Sequence, residues 1–168
     1  MIAISILLAL QAATAIDGAM QYQEQVDPIT DKRVVMAIGG TANMQVAVAC
    51  APASHSIRVA FTTDAYIPKT GLLTASHPFT YRFDGDKPVT TDWYYDTGVV
   101  QQFETGTTIP FIRRLLTGSK LAVRGSSIFG SDAIEAVFPI SGERGPVSRV
   151  IKACGATKVS KALGDLLE

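Results

Sequence analysis

In the segment YRFDGDKPVTTDW, residues 81–93, two extended runs meet over a short acidic turn. Alternation sets Tyr81 and Phe83 on one face and Arg82 and Asp84 on the other, because successive side chains of a strand point to opposite sides. Asp84, Gly85 and Asp86 supply turn chemistry, and Pro88 opens the second run, which reaches Trp93. A strand cannot bury both such faces without cost, so Arg82 and Asp84 form either a solvated edge or a paired polar cluster.

Working outward, more runs of the same kind appear. RVVMAI (33–38) is β-branched and apolar and is closed by Gly39 and Gly40; MQVAVAC (44–50) puts Met44, Val46, Val48 and Cys50 on one face; IRVAF (57–61) does the same with Ile57, Val59 and Phe61, leaving Arg58 and Ala60 opposite. VVQQF (99–103), LAVR (121–124) and AIEAVFPI (133–140) are further strands. Two segments change period. In TTIPFIRRLLTGSK (107–120), Thr108 caps, Pro110 sits in the first turn and Ile112, Leu115 and Leu116 recur at helical spacing before Gly118. In SGERGPVSRVIKACG (141–155), Val147, Val150, Ile151 and Cys154 fall on one stripe. The expected fold is mainly β with two short helices (α+β), an antiparallel β-sandwich or curled sheet with one disulfide. Residues 31–156 are expected to form a single β-rich domain. Thr62–Pro78 is expected to be a surface loop, 16–30 a flexible polar arm and 157–168 a weakly helical or fraying tail.

A chain of 168 residues with 47% apolar content suits one core-forming domain. Fifteen basic and fifteen acidic residues balance to zero, which argues against nucleic acid as a partner and against an electrostatic membrane patch. MIAISILLALQAATA (1–15) lacks charged side chains, is apolar from Ile2 to Leu10 and has small residues at Ala13 and Ala15, the pattern of a secretory signal peptide cleaved after Ala15; the alternative is an uncleaved anchor or a buried first strand. The run is short for a bilayer span, so no stable membrane insertion is expected after cleavage. In an exported chain, periplasmic or secreted, Cys50 and Cys154 are expected to pair, two buried thiols being the alternative.

Catalytic patterns are sparse. There is no GxSxG, no phosphate loop and no EF-hand, and no cofactor or metal is expected. His55 and His77 lie in turn or loop contexts. His77 with a carboxylate such as Asp84 would be the pair for an envelope hydrolase, the alternative function. Tyr81, Trp93, Tyr94, Tyr95 and Phe103 concentrate aromatic area, and a binding surface for a protein or envelope component would combine Arg82, Asp84, Trp93, Tyr94 and Arg124. A further alternative is an inhibitor that inserts the tip at Asp84–Lys87.

The order YRFDGDKPV, Trp93, FIRRLLTGSKLAVR, AVFPISG and a closing helix ending ACG resembles the VasI/TagO-like proteins, exported bacterial proteins associated in some genomes with type VI secretion. The resemblance spans about two thirds of the chain, from Cys50 to Cys154, and extends more distantly to the invasion-associated locus B family. It implies a disulfide between Cys50 and Cys154, and it matches Tyr81, Arg82, Asp84 and Trp93 in the hairpin. Phe111 and Leu115 match in the helix, and Leu121, Val123 and Arg124 in the strand after it. It also implies a periplasmic accessory protein that binds rather than catalyses.

Overall fold

The structure is a computed structural model and describes residues 19–41, 43–63, 75–96, 98–125, 134–140 and 144–167. The proposed signal peptide lies outside the described residues, as does most of the expected loop between Thr62 and Ala75.

Among the described residues nine strands form one antiparallel sheet: β1 (Gln21–Val26), β2 (Arg33–Gly40), β3 (Met44–Ala51), β4 (Ser56–Thr63), β5 (Ala75–Phe83), β6 (Val89–Asp96), β7 (Val99–Gln102), β8 (Lys120–Gly125) and β9 (Ile134–Pro139). Their order is β1-β2-β3-β4-β7-β6-β5-β8-β9. Three helices follow the concave side: α1 (Thr105–Thr117), α2 (Arg144–Cys154) and α3 (Thr157–Leu163), the last continued by a 3₁₀ turn at Gly164–Leu167.

The sheet is curled. β4 and β9 stand five strand spacings apart, which in a flat sheet is about 24 Å. Yet the rings of Phe61 on β4 and Phe138 on β9 lie 6.2 Å apart, centroid to centroid. A Cβ placed on Gly40, in β2, would come within 3.1 Å of the Phe138 ring, which is seven spacings away in strand order. The sheet therefore rolls its core face inward without closing.

The hollow is filled by one aromatic cluster. Phe61, Phe79, Tyr81, Phe83, Trp93 and Phe138 point in from the sheet, and Phe111 of α1 enters among them, 5.0 Å from Tyr81 and 5.7 Å from Trp93. Toward the other edge α2 lays Val147, Val150, Ile151 and Cys154 on β1–β3. Cys154 and Cys50 are joined there by a disulfide with a Cα–Cα separation of 5.9 Å. β2 and β3 are apolar on both faces: Met36, Ile38, Ala47 and Ala49 are buried on the side away from the core, which is why these strands read as nearly continuous apolar runs.

Four expectations change. The polar arm at 16–30 contains a strand, because QYQEQV pairs along its whole length with β2, and Glu24 holds Arg33 at 2.5 Å. The C-terminal tail is a third helix rather than a fraying end, since Val159, Leu163 and Leu167 are buried. α1 begins at Thr105, with Glu104 as its N-cap, so Pro110 lies inside it. The ring of Pro110 faces the carbonyl of Gly106, an exposed residue without a side chain to crowd it, and Thr108 Oγ donates to the Glu104 carbonyl at 3.0 Å instead of capping. Lastly, Pro78 belongs to β5. Among the described residues the ladder between β5 and β8 begins at Phe79, and Pro78 is paired with Asp92 of β6, on the other side of β5.

Candidate functional site

The five candidate binding residues do not come together. Trp93 is fully buried in the aromatic cluster, its indole N–H donating to Thr91 Oγ at 2.9 Å, so it is a core residue and not a contact surface. Its alternation with Tyr94 sends Tyr94 to the convex face. Arg82 and Arg124 also lie on that face, as diagonal neighbours on β5 and β8. Arg82 is exposed, and Arg124 is paired with Glu135 of β9 at 2.5 Å. Tyr94 faces Ser76, six residues along β5 from Arg82, which is about 20 Å.

Asp84 leaves the strand pattern altogether. It adopts a left-handed conformation, φ 48°, which an aspartate tolerates at a turn. Its Oδ1 accepts from Ser119 N at 3.0 Å, Ser119 Oγ at 2.6 Å and Lys120 N at 3.0 Å; its Oδ2 is 3.5 Å from Arg114, which also pairs with Asp86. Arg114 further stacks over Phe83, 5.8 Å from the ring centre. Arg82 is thus a solvated side chain of the convex face, whereas Asp84 belongs to a paired polar cluster whose partners are Arg114 and Ser119 and not Arg82. Asp84 is a clasp from the hairpin turn to the junction of α1 and β8, and the tip is tied to α1.

The Ser119 hydroxyl first, then the backbone N–H groups of Ser119 and Lys120, hold the Asp84 carboxyl below its ordinary range. A carboxyl depressed in the folded state contributes stability that is complete above its unfolded pKa of about 3.9 and is lost as pH falls through the lower folded value. Asp84→Asn keeps the left-handed turn and one acceptor but removes the charge. Its urea midpoint is expected to lie below the parent's at pH 7 and to converge on it as acid protonates the Asp84 carboxyl of the folded parent; parallel curves from neutral to acid pH would sink the assignment.

Among the described residues neither histidine is paired with a carboxylate. His77 sits edge-on to Tyr95, 5.5 Å between ring centres, with Nε2 buried and unbonded among the described residues. Asp84 lies just past the far end of the same strand, six strand residues from His77 to Phe83 and so about 20 Å or more away, and the two cannot act as an acid–base pair. His55 Nδ1–H donates to the Cys154 carbonyl at 2.7 Å and latches the Pro52–Ser54 turn to the end of α2 beside the disulfide. Among the described residues no three His, Cys, Asp or Glu side chains are grouped as metal ligands would be.

What the fold does assemble is a different cluster on the convex face. Gln102 is buried at the end of β7, where its Nε2 donates to the Asp92 carbonyl at 2.8 Å and its Oε1 accepts from Phe103 N and Glu104 N at 2.8 and 2.9 Å. Those three bonds from one side-chain amide fix the corner from β7 into α1. Phe103, 45% exposed, stacks there on Tyr94 with centroids 4.5 Å apart and planes 17° from parallel. Tyr94 Oη donates to Glu104 at 3.4 Å. Gln101, across the ladder from both Tyr94 and Ala60, accepts at Oε1 from Arg58 Nη1 at 3.4 Å. Burial pushes the Arg58 guanidinium below its ordinary pKa by removing water from the charged form.

Arg58 and Phe103 each stood out in the sequence, one as the polar side of IRVAF and one within the aromatic concentration, but nothing linked them. β4 pairs with β7 past two intervening strands of sequence, and that register alone brings positions 58, 94, 101 and 103 to one patch. Against known protein families, curated proteins and solved structures, the chain has no match.

Proposed function

We propose that the protein is an exported accessory or binding protein of the bacterial envelope, which engages a protein or envelope component through the convex face of its sheet and performs no catalysis. The observation that carries this reading is the stacked Tyr94–Phe103 pair beside Arg58: aromatic and arginine side chains, partly exposed and held by the buried Gln102 amide, are the residue types that concentrate binding energy at interfaces. The dispersal of His77 and Asp84 supports binding over hydrolysis. The disulfide and the absence, among the described helices, of any long and apolar enough to cross a membrane are compatible with life outside the cytoplasm. A place beside type VI secretion, as the VasI/TagO-like resemblance implies, belongs to the same proposal.

The test is capture from envelope extracts with the immobilised full chain. A specific partner is expected to be retained by the parent and by Arg82→Ala/Arg124→Ala, and lost by about tenfold or more with Tyr94→Ala/Phe103→Ala. Equal capture by the parent and the aromatic variant would overturn the assignment of this face.

A further inference from the structure

Arg58 is a half-buried cation without a counter-charge among the described residues. Arg33 has Glu24, Arg114 has Asp84 and Asp86, and Arg124 has Glu135, while Arg82 on β5 and Arg113 on α1, which have no ion pair among the described residues, are exposed to water. Among the described residues Arg58 has only the long hydrogen bond to Gln101 Oε1. Keeping a guanidinium partly out of water without a counter-charge is costly, and the cost is recovered when an oxyanion docks against it.

The surroundings define which oxyanion. Ala49 lies across the ladder from Arg58 and Ala60 from Gln101, so neither cross-strand position sets a long side chain against the pair. Because Gln101 Oε1 already accepts from Arg58, its Nε2 presents two donors to the same space. The Tyr94–Phe103 stack walls one side. One cation and one neutral amide match a monoanion, while Asp92 and Glu104, on the same side of the sheet, oppose a dianion.

Resting on the reading that this face is the binding surface, we propose that Arg58 and Gln101 form a subsite for a carboxylate, which the partner presents next to an apolar or aromatic group. The planar guanidinium takes the carboxylate through parallel N–H···O bonds, Gln101 donates from the side, and the attached apolar group lies against Phe103.

Three probes test this on the ¹⁵N-arginine-labelled full chain: N-acetylphenylalanine, its uncharged amide N-acetylphenylalaninamide, and inorganic phosphate. The acid is expected to shift the Arg58 Nε–H resonance saturably and to bind about tenfold or more tightly than the amide. Arg58→Gln is expected to abolish that preference while leaving the urea midpoint unchanged or raised, since an uncompensated charge is removed. No saturable shift, equal binding of acid and amide, or acid binding undiminished in Arg58→Gln would each overturn the subsite. Phosphate binding more tightly than the acid would overturn the carboxylate assignment. The two readings separate in the extract experiment: capture lost with Tyr94→Ala/Phe103→Ala but untouched by Arg58→Gln removes the subsite and leaves the binding face, whereas capture untouched by either removes both.

Discussion

Replacing Cys50 and Cys154 by alanine is expected to lower the unfolding free energy by about 4 kcal/mol, on the order of half the stability of a typical domain. The bond spans 104 residues of sequence, and both cysteines are buried. In the chain-entropy description, closing a loop of about 100 residues restricts the unfolded ensemble by roughly 4–5 kcal/mol. The folded side is arranged to hold the bridge. Cys50 shares the inner face of β3 with Val46 and Val48, Cys154 lies on the apolar stripe of α2, and His55 bonds the Cys154 carbonyl at 2.7 Å. The measurement is urea unfolding with and without reductant. Parent protein under reductant should unfold at the midpoint of the double variant, and the variant should not respond to reductant at all. A parent whose midpoint moves by less than about 1 kcal/mol equivalent would show that the packing of α2 on β1–β3, and not the covalent link, holds that side of the molecule. Alanine suits the test better than serine, because a hydroxyl introduced at either buried site would lack an assured partner.

Much of the fold was legible because one-sided burial writes itself into alternation. The strands at 33–40, 44–51, 56–63 and 99–102 follow the spacing of Val, Ile, Met and Phe, and the apolar stripe ending at Cys154 places α2. β1 was not legible. QYQEQV has no apolar alternation, and it is a strand because an adjacent edge supplies hydrogen bonds and because Glu24 meets Arg33, both long-range facts. α3 was hidden for a related reason: seven residues are too few for a clear helical period, and Val159 and Leu163 are fixed by the helices around them.

The candidate site divides along the same line. Alternation within β6 correctly opposed Trp93 to Tyr94, but it could not say which faced the core until the curl put Phe61, Phe79 and Phe111 around Trp93. Arg82 and Asp84 read as neighbours on one face. Strand geometry ends at Phe83, however, and the left-handed turn at Asp84 redirects that carboxylate to Ser119, a partner that local sequence does not announce. The patch of Arg58, Tyr94, Gln101 and Phe103 depends on the β4–β7 pairing, a crossover that no spacing in the chain encodes.

Phe111→Ala tests the curl itself. Phe111 is fully buried, and its ring lies 5.0 Å from Tyr81, 5.1 Å from Phe83, 5.7 Å from Trp93 and 6.0 Å from Phe61, so one side chain of α1 touches rings from three strands. Removing a buried phenylalanine costs about 3–5 kcal/mol, and the loss of several edge-to-face contacts places this site toward the upper end. With a urea slope of about 2 kcal/mol/M, the midpoint should fall by roughly 2 M. Trp93 is the single tryptophan, so its fluorescence follows the cluster directly. Phe103→Ala is the matched control. The same atoms are removed from a ring that is 45% exposed on the convex face and, among the described residues, stacked on Tyr94 alone, and the expected cost is below about 1 kcal/mol. If the two alanine variants lost equal stability, Phe111 would not be the keystone of the hollow. A large loss for Phe111 alone would establish that α1 and the curled sheet form one core, with the Tyr94–Phe103 pair left outside it and free to bind.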